Sequence, residues 1–262
     1  MQRQFACDRL LARMYMIDDE WILKGAVALL ARQVSVRHSI DIDVYRNDER
    51  GVVERELRTA AELDLGDWFT FQIGPGEELT GGTGGHRYPV KASIGATVWA
   101  TFHIDIVGTG VRMTAVPDDV PPVAGIAVPG IEQQGYRAYP LVDHVADKVA
   151  AILEPHGNGR PSNRFRDLID LTALASCISV DADAQRVALT SEFDRRQLHF
   201  PQRFAVPDHE LWEVGFRRAS RRAVEPPART LDEALAVVCP FLDPVLDGTA
   251  IGNWDPETRI WA

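Results

Sequence analysis

The sequence contains little cysteine and no long apolar run. Its three cysteines, Cys7, Cys177 and Cys239, are scattered and form no Cys-x-x-Cys pair, which excludes a zinc ribbon or a disulfide framework and favours a reducing compartment. No run of 18 apolar residues occurs, so no membrane-spanning helix and no membrane partner are expected. The N-terminal residues are charged and lack the apolar region of a signal peptide, which predicts a cytoplasmic protein.

Several catalytic signatures are missing as well. The seven histidines form no His-x-x-x-His, and neither Gly-x-Ser-x-Gly nor Gly-x-Gly-x-x-Gly occurs. Zinc hydrolases, serine hydrolases and Rossmann dehydrogenases therefore have little support. At 262 residues the chain can hold one large domain or two small ones. A net charge of −10 argues against a dedicated nucleic-acid coat but permits a local basic groove.

Lysine is almost absent. Of 28 basic residues only three, Lys24, Lys91 and Lys148, are lysines. Because arginine fills nearly every general surface position, the remaining lysines mark places where a compact ammonium group is preferred. Lys24 and Lys148 lie in segments that carry further signals, whereas Lys91 lies in a predicted strand without any.

Three aspartates lie on two apolar predicted strands, residues 39–45 and 100–107. Asp41 and Asp43 share one face of the first strand, because side chains at i and i+2 point the same way. Asp105 is flanked by apolar residues that face the other side of the second strand. Carboxylates on such apolar strands are costly to bury unless a cation neutralises them. Hard oxygen ligands favour Mg²⁺ or Mn²⁺.

The segment upstream, residues 21–32, predicts a strand, a small-residue turn at Lys24-Gly25-Ala26 and an apolar helix. The backbone N–H groups of such a turn suit a phosphate. A phosphate-binding turn, then Asp-x-Asp, then a third aspartate on a later strand resembles the nucleotidyltransferase superfamily that includes DNA polymerase beta. The resemblance implies two-metal in-line displacement at the α-phosphate of a nucleoside triphosphate, with the third carboxylate helping to deprotonate the attacking hydroxyl.

The pattern of elements predicts an α+β fold with a boundary near residue 139. Residues 1–139 are expected to form a polymerase-beta-like mixed sheet with flanking helices, and 140–262 a helical bundle lobe. The predicted helices are 6–17, 26–33, 51–63, 141–154, 161–176, 182–197, 207–223 and 231–246, and the predicted strands are 21–25, 40–45, 68–73, 88–95, 98–107 and 136–139. The strand at 136–139 is expected to close the sheet. Residues 108–130, rich in Pro and Gly, are expected to be irregular. Thr230 and Glu233 predict a capping box.

A second group of charges lies in the helical half. Lys148 stands near the edge of the apolar stripe of helix 141–154, where its stem can pack while its head reaches outward. On the next helix, Asp167 and Asp170 are three residues apart on one face. The alternative to a functional role is a salt bridge between helices, and the family resemblance decides for function.

Three segments together resemble the AbiEii/AbiGii-type nucleotidyltransferase toxins, a group that includes the MenT toxins of bacterial toxin–antitoxin systems. They are residues 23–29, residues 37–43, and Lys148 with residues 164–171. Ala26 stands where the family usually has a second glycine or a serine, and Arg166 where it often has lysine. Neither departure removes a metal ligand.

The resemblance implies a bilobed enzyme that binds NTP and Mg²⁺. Asp41, Asp43 and Asp105 would hold the metal, and Lys148 would reach the nucleotide phosphates, oriented by Asp167. The remaining nucleotide-binding residues that it implies are Lys24, Gly25, Ala26, Arg37 and Ser39. The family members transfer nucleotides, often pyrimidines, to the 3′ acceptor end of tRNA, which halts translation, and an antitoxin protein counteracts them.

The segment from Arg195 to Arg229 has eight arginines against four acidic residues. Arg217, Arg218, Arg221 and Arg222 would form a basic helical stripe that contacts tRNA phosphates, although a solvated helix face has the same composition. Ser39, on the face of the metal ligands, is a candidate for phosphorylation by an antitoxin, because a phosphate there would repel the triphosphate.

Three other functions remain open. The fold could modify a small molecule such as an antibiotic, which the net charge favours, or the chain could be a non-catalytic member that binds a partner, which the intact carboxylate triad opposes. A metal phosphohydrolase usually needs histidine ligands, and His103 alone stands near the triad.

Overall fold

The structure is a computed structural model that describes residues 2–34, 41–79, 84–108, 110–123 and 127–262. These residues divide into two compact units. The first comprises the described residues within 1–33, 38–111 and 117–139, and the second those within 34–37, 112–116 and 140–262.

The first unit contains a mixed sheet and three helices among its described residues. Its elements are α1 (Gln2–Ile17), β1 (Ile22–Lys24), α2 (Gly25–Ala31), β2 (Ile42–Tyr45), α3 (Arg50–Glu62), β3 (Phe69–Ile73), β4 (Glu77–Glu78), β5 (His86–Ile94), β6 (Thr97–Val107), β7 (Asp118–Val120) and β8 (Tyr136–Ala138). The strand order is β3-β5-β6-β2-β1-β8-β7, with β4 beside β5. Strand β2 is parallel to β6, and β1 is parallel to β8, while the other pairs are antiparallel. The predicted α+β fold with a mixed sheet is confirmed.

One face of this sheet is apolar and the other carries polar groups. Along β6, Phe102, Ile104 and Ile106 are buried in the core that also contains Leu10 and Met14 of α1. Residues that alternate with these apolar side chains point to the opposite face. The period-2 pattern of the sequence therefore determines which side chains are available for chemistry.

The second unit is helical. Its elements are α4 (Leu141–Leu153), a 3₁₀ turn (Gly157–Gly159), α5 (Phe165–Ala175), α6 (Ala182–Arg196), α7 (His209–Ser220), α8 (Leu231–Asp247) and the hairpin β9 (Trp254–Asp255) with β10 (Ile260–Trp261). The predicted capping box is confirmed, because the Thr230 hydroxyl accepts from the Glu233 N–H and the Glu233 carboxylate accepts from the Thr230 N–H. None of the helices in the described part of the chain is long and apolar enough to cross a membrane.

Several local predictions were wrong. Helix α1 begins at Gln2, not at residue 6, and α5 begins at Phe165, not at residue 161. Strand β8 does not close the sheet, since β7 pairs with its outer side, and β7 lies within the segment expected to be irregular. Its sequence, Asp-Asp-Val, has no strand signal of its own and is extended because β8 offers it a partner. Helix α7 ends at Ser220, not at 223: the Ser220 hydroxyl donates to the Ala228 carbonyl at 2.9 Å as the chain turns back.

Candidate active site

Four charged residues occupy one register row across four neighbouring strands of the first unit. Lys24 on β1 is paired with Asp43 on β2, Asp43 with Asp105 on β6, and Asp105 with Arg87 on β5. We call these four residues the charged row. Neighbouring strands are about 4.8 Å apart, so the two carboxylates stand side by side with a cation-bearing residue on either flank.

Asp41 immediately precedes β2 and approaches β6 at His103. It accepts a hydrogen bond from the backbone N–H of His103 at 3.0 Å, and the Nδ1 atom of the His103 ring is 3.1 Å from the same oxygen. His103 therefore fixes the position of Asp41 beside β6. The register partners Asp43 and Asp105 share the face opposite Ile42 and Ile104, which are fully buried.

Arg87 holds the Asp105 carboxylate with two hydrogen bonds. Its Nε atom donates to one oxygen at 2.7 Å and its Nη2 atom to the other at 2.6 Å. This bidentate geometry is the strong form of an arginine–carboxylate pair. The hydrogen bonds to Asp105 raise the pKa of the Arg87 guanidinium above its usual range. Both oxygens of Asp105 thus face a positive group in this state.

The turn between β1 and α2 lies directly against Asp43. Gly25 has φ +59°, and a Cβ atom built on it would stand 2.0 Å from the Asp43 Oδ2 atom. Both the left-handed backbone and the missing space require glycine at this position. Lys24, the N-cap residue of α2, makes no side-chain capping hydrogen bond to the helix, so the orphan N–H groups of this first turn, which includes Ala26, are not satisfied by it.

The Lys24 side chain is buried beneath an aromatic ring. Its ammonium nitrogen lies 3.9 Å from the centroid of the Tyr139 ring, and the residue is 8% exposed. A cation over a ring face is attracted by the ring quadrupole. Tyr139 follows β8, the strand parallel to β1, and its N–H donates to the Leu23 carbonyl at 2.7 Å, so Lys24 has a position set by two strands.

The remaining predicted residues of this region, Arg37 and Ser39, lie outside the described residues. Within the described ranges, no group of three or more histidine, cysteine, aspartate or glutamate residues comes together as a metal cluster. The donor chemistry of Asp41 and Asp43 still suits a hard divalent cation, since both are carboxylates on one face. The Arg87 guanidinium stands where a cation at Asp105 would have to bind.

The second unit contains the other predicted group. The Lys148 ammonium on α4 donates to Asp167 at 3.0 Å and to Asp170 at 2.7 Å, both on α5. The Asp170 side chain is fully buried and that of Lys148 is 6% exposed, whereas that of Asp167 is 17% exposed. Lys148 thus forms a salt bridge between helices α4 and α5, and Asp170 is the more deeply buried of its two partners.

The four arginines of the predicted basic stripe are all exposed. Arg217 and Arg218 are on α7, where Arg217 donates to Glu213 at 2.6 Å. Arg221 and Arg222 lie just beyond the end of the helix, so the four arginines do not form one helical stripe. We call these four arginines the basic patch.

Sequence reasoning missed Arg87 and Tyr139. Arg87 has the strand alternation of a polar-face residue beside buried Tyr88 and Val90, but its pairing with Asp105 depends on the β5–β6 register. Tyr139 approaches Lys24 through the β1–β8 pairing. Neither pairing has a local sequence signal, because the partners are 18 and 115 positions apart.

Comparisons with known proteins find the same fold in solved structures. MenT4, a nucleotidyltransferase toxin of Mycobacterium tuberculosis, is 17% identical, with 93% of this chain and 82% of that chain covered and a TM-score of 0.57. JHP933 of Helicobacter pylori is 13% identical, with 95% and 93% covered and a TM-score of 0.53. At these identities the likeness shows the fold. No curated protein sequence matches the chain.

The family model described as nucleotidyl transferase AbiEii toxin, type IV toxin–antitoxin system, matches residues 9–237. That span includes the charged row, Asp41, Lys148 and both of its carboxylate partners. The chain belongs to the AbiEii family of nucleotidyltransferase toxins.

Proposed function

We propose that this toxin transfers a nucleoside monophosphate, preferably a pyrimidine nucleotide, from an NTP to the 3′ acceptor end of tRNA and thereby blocks translation. The observation that carries the proposal is the charged row, in which Asp43 and Asp105 are register partners while the Gly25 turn lies against Asp43. The family supplies the reaction type, and the sequence resemblance supplies the acceptor and the base.

Asp41, Asp43 and Asp105 are the residues that would hold Mg²⁺ or Mn²⁺. Their carboxylate oxygens fit a hard cation, and Arg87 already shows that Asp105 accepts a positive partner through both oxygens. When bound, the metal would neutralise charge on the triphosphate and on the phosphoryl group in transfer.

The chain's own residues bind and orient the reactants. The backbone of Gly25 and Ala26 would hold phosphate oxygens at the first turn of α2, and Lys24 would lie near them; the resemblance adds Arg37 and Ser39 to this set. Asp105 would accept the proton of the acceptor 3′-hydroxyl, for which it must release one of its two bonds to Arg87. The acceptor oxygen forms a bond to the α-phosphorus while the bond to pyrophosphate breaks.

The resemblance assigns Lys148 to contact with the nucleotide phosphates and Asp167 to the orientation of Lys148. We place the boundary between the nucleotidyltransferase domain, residues 1–139, and the helical domain, residues 140–262, at the start of α4. The exposed group Arg217, Arg218, Arg221 and Arg222 would contact tRNA phosphates. The partner that restrains the enzyme would be an antitoxin protein.

Transfer of label tests this proposal directly. The purified protein is incubated with total tRNA, Mg²⁺ and each α-labelled NTP in turn, beside an Asp43→Asn variant that keeps the shape of the side chain. Label should enter the 3′ end of tRNA with a pyrimidine NTP, and Asp43→Asn should lower the rate at least about 100-fold, the order expected when one stabilising group at the reacting phosphate is lost.

Asp119→Asn is the matched control, since Asp119 is exposed on β7 of the same sheet, and it should retain the rate of the unaltered protein. If label enters no RNA but enters an aminoglycoside or another hydroxylated small molecule, the acceptor is a small molecule and not tRNA. Equal rates for Asp43→Asn and the unaltered protein would place the reaction elsewhere.

A further inference from the structure

An open groove of about 650 Å³ lies on the polar face of β3, β5 and β6 in the first unit. Its lining includes Gln72 of β3, Lys91 of β5, Thr101 and His103 of β6, and Arg3 of α1. The volume is within the usual range for ligand sites. His103 belongs both to this groove and to the active site, because its ring and its N–H contact Asp41.

The groove adjoins the charged row, because strands β5 and β6, which line it, also carry Arg87 and Asp105. Beyond the pair Arg87–Asp105, the next row pairs Pro89 with His103, and the one after it pairs Lys91 with Thr101 on one side and with Gln72 on the other. Side chains two residues apart on a strand are about 6.6 Å apart along it. On β6, polar side chains therefore follow one another from Asp105 through His103 to Thr101, the register partner of Lys91, over roughly 13 Å.

The groove has the opposite charge to the chain as a whole. Its ten lining residues include Arg3 and Lys91 but no aspartate or glutamate, although the net charge of the chain is −10. Lys91 is also one of only three lysines in the sequence. A concave surface with cations and neutral hydrogen-bonding groups, and with no carboxylate on its wall, selects for an anionic ligand.

The order of the strands separates this groove from the nucleotide side. The Gly25 turn follows β1, on one side of Asp43, whereas the groove begins at β6 and β5, on the other side of the two carboxylates. In-line displacement requires the attacking oxygen and the leaving pyrophosphate on opposite sides of the phosphorus. With the triphosphate on the Gly25 side, the acceptor has to approach from the groove.

We propose that this groove holds the single-stranded 3′ end of the RNA acceptor, with Arg3 and Lys91 on its phosphates and with its terminal hydroxyl directed at Asp105. The inference rests on the proposed function and specifies the part of the surface that binds the acceptor. Gln72 and Thr101 flank Lys91 in its own register row and supply neutral hydrogen-bonding groups, and His103 lies in the row between Thr101 and Asp105. NTP binds at the charged row on the Gly25 side, and its affinity does not depend on Arg3 or Lys91.

Steady-state kinetics with separate titration of RNA and NTP tests the inference. An Arg3→Gln/Lys91→Gln variant should raise the KM for RNA about 5- to 30-fold, as expected for the loss of two exposed ionic contacts, and leave the KM for NTP unchanged. The slope of log Kd for RNA against log salt should fall by about 1.4, or 0.7 for each lost phosphate contact. Arg55→Gln, at an exposed position on α3, is the control and should change neither KM.

The outcomes separate the two proposals. If the unaltered protein labels RNA but the double variant keeps its KM for RNA and its salt slope, the groove assignment is overturned and the proposed function stands. If the unaltered protein labels only a small molecule, both fall. A 4-thiouridine placed next to the 3′ end should crosslink to peptides of β3, β5 or β6, and crosslinks confined to other peptides would also overturn the assignment.

Discussion

At the scale of single residues, Gly25 is the position where chain geometry and chemistry coincide. Its positive φ and the Asp43 carboxylate, 2.0 Å from the site of a Cβ, both oppose any side chain. Glycine here allows the backbone of the turn to approach the Asp43 carboxylate, which a larger residue would displace from the charged row.

Gly25→Ala should lower the free energy of unfolding by about 1–3 kcal/mol, the usual cost of a strained backbone position, and reduce transfer strongly, because Asp43 has to move. Thermal unfolding and the labelling assay measure the two effects. Gly51→Ala on α3 is the matched control, since no atom lies within 4 Å of its Cβ position, and it should stabilise the helix by about 0.5–1 kcal/mol. Equal behaviour of the two variants would contradict the tight contact at Gly25.

Arg87 is the second decisive residue, because its guanidinium competes with any metal for Asp105. Arg87→Gln should therefore tighten Mg²⁺ binding in the absence of NTP, measured by calorimetry, while transfer itself slows or is unchanged. The control is Arg58→Gln: the Arg58 side chain is 41% exposed and paired with Glu54, comparable to the 42% exposed Arg87 side chain paired with Asp105. Weaker Mg²⁺ binding by Arg87→Gln would show that Arg87 supports the metal site.

At the scale of elements, one lysine of α4 joins two carboxylates of α5 in different environments. Asp170 is fully buried at 2.7 Å from the ammonium, whereas Asp167 is 17% exposed at 3.0 Å. A buried charge that loses its partner is strongly destabilising, but a partly solvated one is not. The same motif thus contains a residue that holds the helices together and a residue that is accessible to a ligand.

Asp170→Asn should cost about 3–5 kcal/mol in the free energy of unfolding, because it removes the buried counter-charge of Lys148. Asp167→Asn should cost about 1 kcal/mol or less and should reduce transfer while the protein remains folded. Urea denaturation and the labelling assay distinguish the two variants. If both variants lost the same stability and Asp167→Asn kept full activity, Lys148 and Asp167 would be a structural pair only.

At the scale of the whole molecule, the proposed function requires an acidic protein to bind an acidic polymer. The net charge of −10 opposes this association, and the segment from Arg195 to Arg229, with eight arginines and four acidic residues, counteracts it locally. Long-range repulsion is screened beyond about 8 Å at physiological salt. Local cations close to phosphates therefore dominate binding.

Arg218→Gln/Arg222→Gln should weaken tRNA binding and lower the salt slope by about 1.4 to 1.8, according to the contribution of each lost phosphate contact. The control, Arg55→Gln/Arg259→Gln, removes the same charge from exposed positions outside the segment from Arg195 to Arg229, so any difference arises from location. Filter binding between about 50 and 200 mM salt gives both slopes. Identical slopes for the two pairs would leave the basic patch without a role in tRNA binding.

The local sequence predicts much of the secondary structure and the polar face. Alternation with Ile42 and Val44 predicts that Asp41 and Asp43 share a face, and the turn chemistry predicts a helix from residue 26, one residue after the observed start of α2 at Gly25. Helix α8 and its capping box follow from Thr230 and Glu233. These features depend on residues a few positions apart in the sequence, so they can be predicted from the local sequence.

The tertiary structure decided which distant residues these elements contact. The pairing of Asp105 with Arg87, the cover of Tyr139 over Lys24 and the short strand β7 each depend on a strand register or order that no local pattern specifies. A side chain's face is set by the two-residue period of its own strand, whereas its partner is set by how the whole sheet packs. The sequence by itself thus determined that Asp41 and Asp43 lie on one face, and only the fold determined that Arg87 meets Asp105, that Tyr139 covers Lys24 and where the groove lies.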